Sequence, residues 1–366
     1  MNKKDEIAKL AIESHEKYNN KSTICLTTGL GKTYLVLKRF RDSNIKNKKL
    51  LFFGSKEIYT TNALIECEKL GIDISSIDFC CVKSLKYYYK FYTHIVFDEC
   101  HLESLGGYIF LKNIIKLHPS VDIICLTGTP KTRSKDFNKL LEICPISYTY
   151  LNKDAINSKL INNIKIIPIL VDLSKNMTIH VKVKQYDFYT SEEKSYKNLI
   201  NKYNDSLSIG NTSFPKELSL LKNFFKKSKS KIRHTNSLIE KIKFAHKGKI
   251  LVYAGSIENC QYYKYPAYHS KNKSVRDKHY ENFLSGKSDV LINVDGIKES
   301  VSIDDLKFAI ITSVDASESS FGQIVGRLQR LIPDKEIGTL YVIIFKGTIE
   351  EKWFEKATKN YQHLLN

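Results

Sequence analysis

The sequence predicts an α/β protein built from two successive parallel-sheet units. Three observations carry that reading. Short, continuous apolar runs recur along the 366 residues. Segments with helical spacing separate them, and the same alternation starts again after residue 245. Strands that are apolar on both faces and joined by helices belong in parallel sheets covered on both sides.

The elements follow in order. Residues about 5–18 carry Ile7, Leu10 and Ala11 against a polar face, which predicts an amphipathic helix. Thr23–Leu26, Leu50–Phe53, Ile95–Phe97 and Ile123–Leu126 predict buried strands, with crossover helices over Lys32–Arg41 and Asn62–Leu70. The second set of strands is Ile250–Tyr253, Val290–Ile292, Phe308–Ile311 and Leu340–Ile344, with helices near 275–285 and 320–330. Asn162 and Asn163 break the apolar pattern, so the expected domains are residues 1–160 and 161–366. Residues about 185–245 are rich in Lys, Ser, Asn and Phe at helical spacing, and predict a helical insertion in the second domain.

Composition narrows the class. Hydrophobic content of 42% and charged content of 27% are those of a folded globular chain. No apolar run approaches the roughly 20 residues of a membrane helix, and Met1–Ile7 lacks the apolar core of a signal peptide. A soluble cytoplasmic protein without membrane association is expected, including one acting in a virus-infected host cell. Several of the eight cysteines, Cys25 and Cys125 among them, sit inside apolar runs and form no Cys-x-x-Cys pair, which predicts reduced, packed thiols. Basic residues outnumber acidic ones 58 to 39, for a net charge of +19, and this excess points to a polyanionic partner such as nucleic acid.

Four blocks carry the chemistry. Leu26-Thr-Thr-Gly-Leu-Gly-Lys-Thr33 lies between a strand and a helix, the setting of a phosphate-binding loop. Thr28, Gly29, Leu30 and Gly31 would offer backbone N–H groups, Lys32 would reach the phosphates, and Thr33 would ligate magnesium. Asp98 and Glu99 follow a strand, so both emerge at its carboxyl end, where ligands bind in open α/β sheets. Asp98 is expected to hold magnesium and Glu99 to orient the attacking water, with His101 a coupling residue. Thr127-Gly-Thr129-Pro130 ends another strand, and its two hydroxyls are candidates to link the carboxylates to movement. Gln323, Arg327 and Arg330 are spaced four and three apart, on one helical face. Arginines there could stabilise charge on a transferring phosphoryl group, an effect of roughly 10³–10⁵ in rate.

In this order the blocks resemble superfamily 2 helicases and translocases of the DEAD/DEAH-like type, here with Asp98-Glu-Cys-His101 as the second motif. The chain is similar to restriction-type motor domains and to compact viral or phage DNA helicases over residues 22–355. Gly54–Ile58, Val82–Leu85, Ile250–Ser256 and Val294–Val301 resemble further family motifs. The resemblance implies two RecA-like domains, ATP and Mg2+ as cofactors, and nucleic acid as partner, DNA in preference to RNA, with accessory proteins compatible. It also implies nucleic-acid contacts at Ser55, Ser84, Ser256 and Glu299. Two departures stand out. Ser300 follows Glu299 where the family usually has glycine, and no glutamine motif precedes the loop at 26–33.

Overall fold

The computed structural model of the chain describes residues 3–27, 29–54, 60–128, 134–183, 186–208, 215–271, 273–294, 303, 306–329 and 337–365. Two compact units make up the chain, the first chiefly residues up to Asn162 and the second chiefly Asn163 onward.

The first unit contains α1 (Lys3–Glu16), β1 (Lys21–Leu26), α2 (Lys32–Asp42), β2 (Leu50–Gly54), α3 (Thr60–Leu70) and β3 (Ile77–Cys81). It continues with β4 (His94–Phe97), α4 (Ser104–Leu117), β5 (Asp122–Thr127), α5 (Lys135–Ile143), β6 (Ile146–Tyr150) and α6 (Asn152–Asn157). The six strands form one parallel sheet in the order β3-β2-β4-β5-β1-β6. Alternation along β2 shows why continuous apolar runs were needed: Leu50 and Phe52 join the core on one face, Leu51 and Phe53 the core on the other. α4 lies close against the sheet because Gly107 has no side chain. A Cβ there would come within 2.1 Å of the Phe97 ring. Ligands of an open α/β sheet bind at the carboxyl ends of its strands, and here β1, β5 and β4 are consecutive neighbours.

At the opposite strand ends a polar knot ties α1 and α2 to β5. His15 Nε2 is 2.9 Å from Asp122 Oδ1, its Nδ1 is 2.7 Å from Ser22 Oγ, and Arg39 Nε donates to Asp122 Oδ2 at 3.3 Å. Burial would raise the Asp122 carboxyl, but the neighbouring His15, His94 and Arg39 outweigh it and hold it below the ordinary carboxylate range.

The second unit contains β7 (Ile164–Val171), β8 (Ile179–Val183), β9 (Tyr186–Thr190), α7 (Glu192–Ser208), α8 (Pro215–Lys227), α9 (Lys229–Ala245) and β10 (Lys249–Tyr253). After these come β11 (Ala267–Tyr268), α10 (Lys273–Leu284), β12 (Val290–Asn293), β13 (Leu306–Ile311), α11 (Glu318–Leu328), β14 (Gly338–Phe345) and α12 (Ile349–Ala357). Its main sheet is parallel, ordered β11-β12-β10-β13-β14-β7. β7 is the last strand of this sheet, which is why Pro168 is tolerated within it: beyond its ladder with β14, the described residues give it only the single Ile166–Leu365 bridge. β8 and β9 pair antiparallel as a separate two-stranded sheet.

The segment predicted as a helical insertion therefore opens with β9 and continues as α7, α8 and α9. α9 buries Ile232, Thr235, Ile239 and Ile242 along one face. Lys231 on the same helix lies in the interior, its Nζ 2.6 Å from both carboxylate oxygens of Glu350 on α12. Among the described residues, no helix is long and apolar enough to cross a membrane.

Candidate nucleotide site

The site in the first unit begins where β1 ends. Thr27 N–H donates to Tyr150 O at 3.1 Å, and the Thr27 hydroxyl donates to the Asn152 side chain, so the loop is anchored to β6 and α6 before it turns. Gly29 and Gly31 have φ of 92° and 79°, left-handed values that glycine adopts without strain. Gly31 caps α2 with no side chain to cover the first-turn N–H groups, and that turn holds no acidic residue. A helix start left in this way has partial positive charge and suits an anion.

Lys32 opens α2 and reaches across to Glu99, Nζ to Oε1 at 3.0 Å, with both side chains largely buried. β4 delivers Asp98 and Glu99: Asp98 N–H donates to Phe53 O at 2.8 Å, and Cys100 N–H to Leu126 O at 2.9 Å. Glu99 sits at φ 47°, an uncommon backbone state for a residue with a side chain. Its N–H donates to Asp98 Oδ1 at 2.9 Å, which helps hold that conformation. His101 Nδ1 lies 2.8 Å from Thr127 Oγ1 and 3.4 Å from Glu99 Oε2, so the end of β5 is linked to the carboxylate pair.

Electrostatics divides the two carboxylates. Burial, then the adjacent Glu99 charge, push the Asp98 carboxyl up to about 7, against the pull of Lys32. Burial also works against ionisation of Glu99, but Lys32 and His101 prevail and keep it below its usual range. Lys32 loses by burial and gains more from Glu99 and Asp98, so its ammonium is held above the ordinary lysine value. The site thus pairs Lys32 with one buried carboxylate, Glu99, beside a second, Asp98, whose ionisation burial and the Glu99 charge disfavour. The cysteines nearby are core. Burial pushes the Cys25 thiol up to about 11 and raises Cys100, which suits packing rather than ligation.

The remaining sequence-selected residues are distributed as follows. Gly29, Leu30, Gly31, Lys32 and Thr33 form the loop and first turn of α2; Lys32, Asp98, Glu99, His101 and Thr127 come together around it. Ser84 is half-buried in the same unit, its Oγ 3.3 Å from Cys81 Sγ. In the second unit Ser256 precedes a short 3-10 turn over Ile257–Tyr262. Gln323 is half-buried and Arg327 buried on α11. Thr28, Thr129, Arg330, Ser55 and Glu299 lie outside the described residues. Asn152 was missed by the sequence reading: it lies 125 positions from the Thr27 it contacts, and no local pattern marks it.

The loop start, the helix N-terminus and the ionised Lys32 fit a polyphosphate, and an oxygen-donor pair of carboxylates fits a hard divalent cation. Residues 230–331 match the family described as Helicase conserved C-terminal domain. The fold is similar to the Hef helicase domain of Pyrococcus furiosus, at 14% identity over 94% of this chain and 97% of that one, with a TM-score of 0.53. It is also similar to a variant of S. cerevisiae Dbp5 bound to RNA and ADP BeF3, at 10% identity over 98% of this chain and 87% of that one, with a TM-score of 0.61. No curated protein sequence matches the chain. The two parallel-sheet units have the RecA-like helicase fold. The chain thus matches a helicase family model over residues 230–331 and shares the fold of these helicase structures over nearly its whole length.

Proposed function

We propose that the chain is an ATP-dependent motor on nucleic acid, a DNA helicase or duplex translocase. One observation carries the reading: Lys32 of the glycine loop and Glu99 of the strand-end carboxylate pair meet at 3.0 Å in a buried site, with His101 joining them to Thr127. Bound ATP with magnesium would supply the phosphoanhydride whose cleavage drives movement. Thr28 to Thr33 would hold the phosphates, and Thr33 and Asp98 the cation. Lys32 would exchange its ion pair with Glu99 for phosphate oxygens, leaving Glu99 to accept a proton from water. Gln323, Arg327 and Arg330 would stabilise charge on the transferring group. Thr127, Thr129 and His101 would relay the change in the site to Ser55, Ser84, Ser256 and Glu299, the proposed nucleic-acid contacts. The division into residues 1–160 and 161–366, the similarity to compact viral or phage DNA helicases, and a cytoplasmic location belong to the same reading; the first is drawn from the break in apolar pattern at Asn162 and Asn163, the second from the motifs, and the third from composition and the packed cysteines.

An RNA helicase is the second reading, favoured by the likeness to the RNA-bound Dbp5 structure. ATP hydrolysis measured side by side with duplex DNA, single-stranded DNA, forked DNA and RNA separates the two. Stronger stimulation by DNA supports the first, and stronger stimulation by RNA the second. No stimulation by any of them removes both and leaves the remaining alternative, a low-turnover ATP-dependent nucleic-acid-binding module.

A further inference from the structure

A strip on the first unit has the composition of a base-stacking surface. Residues 82–97 and 104–121 contain five lysines (Lys83, Lys86, Lys90, Lys112 and Lys116) and no Asp or Glu. The two segments pack together. Tyr89 meets the Phe110 ring of α4 at 5.2 Å, and Phe91 meets His118, just beyond α4, edge-on at 5.1 Å. Gly106 permits this approach, since a Cβ there would come within 2.5 Å of the Val82 side chain. Along this strip Tyr87 is 74% exposed, Tyr89 49% and Phe91 58%.

Three aromatic rings left in water on one short segment need a reason, because a soluble surface usually buries or disperses them. The lysines supply it. Lys86 Nζ stands 4.9 Å from the Tyr87 ring centre and Lys112 Nζ 5.5 Å from that of Tyr108. Lys90 is the partly neutralised member, paired with Asp78 at 2.9 Å. Exposed rings interleaved with uncompensated cations match a flexible polyanion whose units carry flat faces. A duplex offers the charge but keeps its faces stacked inside. A single strand offers both.

We infer that Tyr87, Tyr89 and Phe91, with Lys83, Lys86, Lys112 and Lys116, form a stacking platform for single-stranded nucleic acid. It would adjoin the phosphate contact proposed at Ser84, which Lys83 and Lys86 flank on the same short turn, and extend it with rings that stack on bases. The inference rests on the nucleic-acid motor reading and adds a strand preference and a mode of holding bases. On such a platform each lost ring weakens single-strand binding by about tenfold and duplex binding far less.

The test uses the full chain without nucleotide and two labelled probes, a 20-nucleotide oligothymidylate and a duplex of equal length, by fluorescence anisotropy. Tyr87→Ala with Phe91→Ala is expected to weaken oligothymidylate binding at least tenfold and to leave duplex binding within about twofold. Both side chains are exposed, so the variant should unfold as the wild type does. Tyr87→Trp is expected to retain affinity and to lose fluorescence when the oligomer stacks on it. Unchanged affinity in the double variant, or no quenching of Tyr87→Trp while the oligomer binds, overturns the platform and leaves the motor reading standing. A wild-type chain that binds neither probe overturns both.

Discussion

Replacing Lys231 by methionine should destabilise the second unit severely, and the structure says how far. Lys231 Nζ lies 2.6 Å from both Glu350 oxygens and 3.0 Å from Ile343 O, and neither charged side chain reaches solvent. Burial pulls the ammonium below the ordinary lysine value, although Glu350 opposes it, so the cation is held at some cost. Methionine fills the volume of the stem and removes the charge. Glu350 then keeps the N–H groups of Val314 at 3.1 Å and Phe345 at 3.0 Å but has no counter-ion. Breaking one side of a buried pair costs about 3–5 kcal/mol, and the two retained N–H bonds put this case at the lower end. A loss of about 3 kcal/mol corresponds to a drop in Tm of about 6–12 °C for a domain of this size. Urea and thermal unfolding of the full chain measure it. Adding Glu350→Gln to Lys231→Met should recover part of the loss, because the stranded charge disappears while an acceptor remains. A loss under about 1 kcal/mol, or a double variant no better than Lys231→Met, would refute the reasoning.

Three further outcomes are expected. Lys32→Ala should abolish ATP binding and hydrolysis alike, checked by nucleotide titration and phosphate release; turnover like the wild type's would sink the site assignment. Nucleic-acid affinity should fall linearly with salt on a log–log plot, with a slope near −0.7 to −0.9 per phosphate neutralised, and an affinity indifferent to salt would detach the +19 charge from binding. His94 gives a pH dependence: burial pushes its imidazole down to about 4, with Asp122 opposing and Arg39 reinforcing. Between about pH 6.5 and 4 the unfolded chain takes up a proton that the native one refuses. Stability should therefore fall as pH drops through that window, by up to about 3 kcal/mol from this group. His94→Phe should flatten that part of a urea-midpoint profile, and identical profiles for variant and wild type would contradict the assignment.

How much the sequence revealed depended on locality. β1, β2, β4 and β5 are buried on both faces, so their residues had to be apolar without interruption and could be read directly. β3 and β6 are edge strands, half-buried and carrying Asp78, Ser147 and Thr149, and their mixed pattern gives no such signal. β7 contains Pro168, which argues against a strand until its edge position is known. The same division holds for the site. Lys32, Asp98 and Glu99 sit in short motifs whose spacing is fixed by one strand and one turn. Asn152 and the Lys231–Glu350 pair depend on contacts across 119 to 125 positions, and no single window contains both partners. The aromatic strip was present in the sequence at 86–92. Its meaning depended on which rings the fold leaves exposed.

Steady-state ATP hydrolysis by the wild type and by Glu99→Gln, with and without single-stranded DNA, tests the central claim most directly. The wild type should hydrolyse ATP faster with DNA. Glu99→Gln should bind ATP with Lys32 released from its ion pair, yet show no stimulated turnover. DNA-stimulated hydrolysis in Glu99→Gln equal to that of the wild type would contradict the account.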